Sequence, residues 1–301
     1  MKFVDPRNDI AFKKIFGNEN KKEILISFLN NILNFSGTTK EIIDITIKNP
    51  YQVPRLDCLK ESILDIMAID KRGIHYIVEM QVIHTHALDK RIMYYTSKAY
   101  CQQLEKAEDY PKLNQVIFLG FLDFTFFEKN PSYASRHLIL DVETKENHFQ
   151  DFELYFVELP KFTKNLDQLE NVKEKWIYFV KNASSMKMVP KEMKEPKEIR
   201  QAFEVANRFG WSKDELDIYD YIGMQIQDER GRIEQAKIEG IAEGKTIGLE
   251  EGKRIGKDEG KVEKSLEVAK AMLTKGMPLD VISEISGLEV KEVETLKQEI
   301  T

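Results

Sequence analysis

Apolar residues at Ile24, Leu25, Phe28, Leu29, Ile32 and Leu33 recur at i, i+1, i+4, i+5, i+8 and i+9, predicting an amphipathic helix with one buried face. A helical stretch over 9–16 precedes it, across a Gly17-Asn18 break. The period then shortens to two. Ile43, Ile45 and Ile47 alternate with polar residues over 41–48, and two further strand-like runs, 62–70 and 73–82, flank the turn Asp70-Lys71-Arg72-Gly73 as a hairpin. From 88 to about 105 the spacing is helical again, with Leu88, Ile92, Tyr95, Ala99 and Leu104 near one side. The run 114–127 is almost wholly apolar, the pattern of a strand buried on both faces. Strands are predicted at 136–142 and 151–159, and helices at 172–182, at 198–209 and from Ser212, an N-cap with Glu215 three residues on. The expected class is α/β, a mixed sheet flanked by helices, with an all-helical C-terminal extension. The expected divisions are 1–160, a helical extension 161–230, a connector 231–261 and a small three-helix module 262–301.

Composition sharpens the boundary. All 30 aromatic residues lie at or before Tyr221, whereas ten of the 15 glycines lie at or after Gly223. Large rings build cores, so the last 80 or so residues follow another plan. There Gly240, Gly244, Gly248, Gly252, Gly256 and Gly260 recur every four residues among acids and bases. Glycine costs about 1 kcal/mol per interior helix position against alanine, so six cost on the order of 6 kcal/mol. Three readings stay open: a flexible charged linker, a helix that self-associates through its glycine face, making a homodimer through the C-terminal region, and a solvated helix propped by a partner. Beyond it, a helix ended by Gly276, a second opened by Pro278 and closed by Gly287, and a third through Val293 and Leu296 resemble a helix-turn-helix. Its prospective recognition helix, Glu289-Val290-Lys291-Glu292-Val293-Glu294, carries acids where phosphate would be read, which favours an interaction or dimerisation module over a DNA reader.

The net charge of −6 argues against a chain coated in phosphate-binding charge, so any nucleic-acid contact is local. No apolar run approaches the roughly 20 residues that span a bilayer, and the first residues lack a signal-peptide core, so a cytoplasmic protein without membrane contact is expected. Cys58 and Cys101 stand outside any C-x-x-C and are expected to be reduced structural thiols.

The chemistry lies in the hairpin. Along 73–82, Ile77, Glu79 and Gln81 share one face and Tyr76, Val78, Met80 and Val82 the other. Glu79 is thus an acid among apolar neighbours, and Asp65 sits likewise in Ile63-Leu64-Asp65-Ile66-Met67. Buried carboxylates are costly unless paired, and two on adjacent strands would hold a hard divalent cation through oxygen. Two structural alternatives stand beside this: Asp65 on an exposed face, and Glu79 paired with Arg91 or Lys90.

Leu64-Asp65 followed by Glu79-Met80-Gln81 resembles the PD-(D/E)XK nuclease superfamily, with glutamine in the lysine position. Asp9, Phe12-Lys13-Lys14-Ile15-Phe16-Gly17, Asp70, Gly73, Arg91, Tyr94-Tyr95 and Tyr110, in order over about residues 1–240, resemble the Rpn family of recombination-promoting nucleases and putative transposases. The resemblance implies a bacterial Mg²⁺-dependent DNA endonuclease, with Mn²⁺ or Ca²⁺ as substitute cations. It implies Asp65 and Glu79 as metal ligands, joined by the Met80 carbonyl, with Gln81 orienting the attacking water. Glutamine brings no charge, so Lys90, Arg91 or Lys98 is expected to supply a cation. Asp9 is either a further metal-site acid or an N-cap. Tyr94 is a cleft candidate, Tyr95 matching the apolar stripe. His84 and His86 are expected at the substrate mouth or on the surface. The rival reading is a catalytically silent nucleic-acid-binding or assembly protein of transposon origin.

Overall fold

A computed structural model describes residues 2–48, 51–52, 62–63, 65–105 and 108–300; Cys58 and Leu64 lie outside them. The chain divides into two compact units, Met1–Glu229 and Arg230–Thr301.

In the first unit, α1 (Asp9–Phe16) begins where the Asn8 side chain accepts the Ile10 N–H and ends at Gly17, whose N–H returns to the Lys13 carbonyl. A Cβ at Gly17 would stand 2.6 Å from that carbonyl oxygen, so the stop requires glycine. The predicted apolar stripe forms α2 (Lys22–Ile32), burying Ile24, Leu25, Phe28, Leu29 and Ile32. Strand β1 (Ile45–Lys48) is shorter than its alternation suggests: Ile43 is exposed outside it and Ile42 is buried instead. The short strands β2 (Tyr51–Gln52) and β3 (Ser62–Ile63) pair antiparallel. The hairpin follows as β4 (Ile66–Asp70) and β5 (His75–Gln81), turning through Gly73 at φ 83° with Asp70 accepting the Arg72 and Ile74 N–H groups.

Helix α3 (Leu88–Cys101) carries the chain over to β6 (Val116–Leu122), in which every residue is buried. The strand ends before Phe124, Phe126 and Phe127, whose rings pack beyond it. Strands β7 (Ala134–Ile139) and β8 (Phe149–Glu158) complete a six-stranded sheet of order β1-β4-β5-β6-β8-β7, parallel at β5–β6 and β6–β8 and antiparallel elsewhere. A mixed sheet of this order, flanked by helices, is the expected class.

One sheet face, through Tyr76, Val78, Met80, Leu119 and Phe121, meets α1, α2, α4 (Val172–Asn182) and α5 (Lys197–Ala206), with Trp176 and Phe179 fully buried. The helices after Pro160 therefore belong to the same core as the sheet. The other face, through Ile77, Val116, Phe118 and Leu122, packs on Leu88, Ile92 and Ala99 of α3. Alternation along β5 sends its apolar residues into two cores and leaves Glu79 on the α3 side.

Helix α6 (Lys213–Thr274) opens with reciprocal Ser212 and Glu215 bonds, 3.2 and 2.8 Å, and Leu216 and Tyr219 pack on the first unit's core. The glycine ladder is helical, and a Cβ at any of its six glycines would meet nothing within 4 Å. In the second unit the C-terminal part of α6, α7 (Leu279–Ser286) and α8 (Val290–Ile300) enclose Ala269, Ile282, Val293 and Leu296. Gly287 closes α7 at φ 72°. No helix among the described residues is long and apolar enough to cross a membrane.

Candidate active site

The β4–β5 hairpin and α1 bring three acids together. Asp65, immediately before β4, accepts the Met80 main-chain N–H on Oδ2 at 2.8 Å. Its own N–H donates to Glu79 Oε1 at 3.3 Å. These bonds extend the ladder past its last residue pair, Ile66 with Val78, using side chains in place of carbonyls. Glu79 is 5% exposed, and its Oε2 accepts from Gln81 Nε2 at 2.8 Å, the pairing that two residues on one strand face allow. The Gln81 side-chain oxygen Oε1 accepts in turn from the Arg91 guanidinium of α3.

Asp9 comes from α1. Because Asn8 caps the helix, the Asp9 side chain is released from capping. It binds Lys13 one turn on at 3.1 Å, and its carboxyl acts on that of Asp65, raising the Asp65 pKa. The Lys13 ammonium also lies 3.4 Å from Asp65 Oδ1.

The electrostatics follow from crowding. Burial, then the charges of Glu79 and Asp9, hold Asp65 well above the usual carboxylate range, against the Met80 N–H. Burial likewise pushes Glu79 up to about 7, opposed by the Asp65 N–H and the charges of Arg91 and Lys13. Burial also pulls Asp9 upward, but its bonds to Asp65 and Lys13 outweigh this and leave it lowered. Crowding thus favours the neutral form at Asp65 and the charged form at Asp9. Lys13 loses affinity for its proton through burial but gains more from Asp65 and Asp9, and ends raised.

Residues 6–236 match the family model described as PD-(D/E)XK nuclease family transposase. The chain belongs to that family. Residues 262–298 match the model described as Rpn/YhgA-like nuclease family, C-terminal HTH domain, so the three helices of the second unit, read from sequence as an interaction module, are similar to a helix-turn-helix domain of such nucleases. No curated protein and no solved structure matches the chain. Membership relates this PD-(D/E)XK protein to nucleases and transposases, a group that generally uses divalent metal ions, and both matches point to DNA as a partner.

The donor set fits a hard cation in kind: carboxylate oxygens from three acids, two of them with pKa values raised chiefly by burial. In arrangement the oxygens are turned to internal donors, and among the described residues no group of three or more His, Cys, Asp or Glu is set to hold a metal. The main chain of Met80 enters the site through its N–H; an extended residue's C=O faces the same edge.

Of the other residues singled out in the sequence, Arg91 reaches the site through Gln81 and has its guanidinium 6.0 Å from the Tyr95 ring. Tyr95 is the tyrosine that senses the acids: burial raises its hydroxyl pKa, Arg91 opposes, and Glu79 and Asp65 add to the rise. Tyr94 is more exposed, with the Lys98 ammonium 5.8 Å from its ring. Lys90 is exposed. His84 stacks on Phe124 at 5.0 Å between centroids. Phe124 follows Asp123, whose N–H donates to the Gln81 carbonyl at 2.9 Å, so this ring pair borders the site. Cys101 is a free, exposed thiol rather than a core one. Sequence reasoning passed over Lys13, although its i,i+4 spacing from Asp9 on a helix was available as a signal.

Proposed function

We propose that this PD-(D/E)XK family member is a metal-dependent DNA endonuclease that hydrolyses phosphodiester bonds, in the cytoplasmic bacterial setting its family resemblance implies. Asp65 and Glu79 would hold Mg²⁺, or Mn²⁺ or Ca²⁺ in its place, with the Met80 carbonyl and Asp9 as further oxygen donors. When bound, such a cation supplies charge to the phosphate oxygens and lowers the pKa of water beside it. The chain's own residues set the geometry around that chemistry. Gln81 is fixed at both ends of its amide, by Glu79 and by Arg91, and has a second N–H to orient a nucleophilic water. Arg91 sits one residue away from the reacting region as a source of positive charge towards phosphate.

The observation that carries this reading is the pair Asp65 and Glu79, two carboxyls brought together at the end of the β4–β5 hairpin, where the Asp65 N–H donates to Glu79 and Asp65 accepts the Met80 N–H. A supercoiled plasmid incubated with the full chain and Mg²⁺ tests it: nicking or linearisation should vanish in EDTA and in Asp65→Ala. Cleavage surviving in Asp65→Ala would falsify the assignment. The internal satisfaction of the carboxylate oxygens favours the second reading, a catalytically silent DNA-binding protein, which predicts DNA retention without cleavage under the same conditions.

A further inference from the structure

We infer that Lys13 is the site's resident cation, a positioning residue whose ammonium competes with a divalent metal for the Asp9 and Asp65 oxygens; the inference rests on the metal-site reading above. Lys13 stands on α1 four residues after Asp9, on the same helix face, and its Nζ falls 3.1 Å from Asp9 Oδ2 and 3.4 Å from Asp65 Oδ1. Those are ammonium–carboxylate distances, and the two oxygens come from different elements. Asp65 Oδ2 accepts the Met80 N–H, while Oδ1 is the oxygen that faces Lys13. Both oxygens of Glu79 are engaged as well, by Asp65 N–H and Gln81. A dication that reaches Asp9 Oδ2 and Asp65 Oδ1 therefore has to displace the ammonium that bridges them.

The Lys13 side chain is about one-third exposed, so it has room to swing outward while its methylenes stay on α1. Displaced, it remains within a side chain's length of the acids, where a phosphate bound beside them would meet it. Glutamine at position 81 brings no charge, and Lys13 brings one from another element. The same residue thus opposes metal loading and favours the charged substrate, two effects of opposite sign.

Mn²⁺ binding to the full-length chain without DNA, followed by the electron paramagnetic resonance signal of free Mn²⁺, separates this from a purely structural lysine. Lys13→Met is expected to bind Mn²⁺ about tenfold more tightly than wild type, the effect of removing one partly exposed charge from beside a dication, and Lys13→Arg to bind as wild type does. Plasmid cleavage by Lys13→Met at saturating Mn²⁺ should nonetheless fall at least about tenfold. Unchanged or weaker Mn²⁺ binding in Lys13→Met overturns the inference; Lys13→Gln serves identically if the methionine variant is unstable. Tighter, Asp65-dependent binding in a protein that cuts no DNA upholds the inference and sinks the endonuclease reading. Absence of any Asp65-dependent Mn²⁺ binding overturns both.

Discussion

Met80 donates its main-chain N–H to Asp65 Oδ2 over 2.8 Å, a side-chain oxygen taking the place of a ladder carbonyl at the end of the β4–β5 hairpin. Removing the charge and removing the acceptor are then separable. Asp65→Asn keeps an oxygen for Met80 while deleting a buried, crowded carboxyl group. Asp65→Ala deletes both and leaves a part-buried N–H unpaired, which costs about 1–3 kcal/mol. Both variants are expected to lose metal-dependent plasmid cleavage by at least about a hundredfold. Chemical denaturation in EDTA should rank Asp65→Asn as the more stable of the two. The reverse order would mean that the Met80 bond contributes nothing.

The pH dependence follows from Glu79. Its folded pKa, about 7, lies above its ordinary value of 4.5, so the folded chain binds the proton more tightly than the unfolded chain does. The stability linked to that proton is fully present below about pH 4.5 and is lost as pH rises through 7. The shift corresponds to a loss on the order of 3 kcal/mol. Urea midpoints of the metal-free protein should therefore decline between pH 5 and pH 8, and Glu79→Gln should flatten that decline and be more stable than wild type at pH 8. A wild-type midpoint that rises over this interval would show that Glu79 is not held neutral.

Much of this geometry was legible along the chain. The period-two alternation at 76–82 places Glu79 and Gln81 on one face, and their side chains bond at 2.8 Å. The 3.6-residue stripe from Ile24 gives the buried face of α2. Strand ends were less legible, because apolar character continues past the last ladder bond. Ile43 and the three phenylalanines after β6 extend a pattern that the backbone has already left. Lys13 was hidden for a different reason: an Asp–Lys pair at i,i+4 looks like a solvated helix surface until the fold lays α1 over Asp65. Spacing within one element is local information, whereas the Asp65 contact is not.

Behind the site, the loop after β6 is held by a buried ion pair. Glu158 is 1% exposed; its Oε1 accepts the Phe126 and Phe127 N–H groups at 2.6 and 3.1 Å, and its Oε2 takes Lys161 Nζ at 2.6 Å. Lys161 also donates to the Phe127 and Asn130 carbonyls. Lys161→Met leaves a buried carboxylate without its counter-ion and two carbonyls without a donor, so a loss of about 3–5 kcal/mol is expected. Adding Glu158→Gln should restore part of it, since the uncompensated charge goes. Thermal or urea unfolding of the two variants reads this directly; a double variant less stable than Lys161→Met would refute the account.

The glycine ladder gives the remaining test. Each of its six glycines stands in an exposed helix, and an added Cβ would meet no neighbour within 4 Å. Alanine there removes backbone freedom from the unfolded chain and collides with nothing, so Gly248→Ala and Gly252→Ala should each stabilise the helix by about 1 kcal/mol. Circular dichroism would register the gain as helicity retained to higher temperature. The substitution also discriminates among the readings left open for this segment. A helix that pairs with a second copy through its glycine row needs the close backbone approach that only glycine permits, and alanine would weaken that pairing. A loss of dimer in sedimentation accompanying the substitutions would assign the row to self-association, whereas a monomer that simply becomes more helical leaves it as a solvated rod. A segment whose helicity does not respond at all behaves as a charged linker in solution.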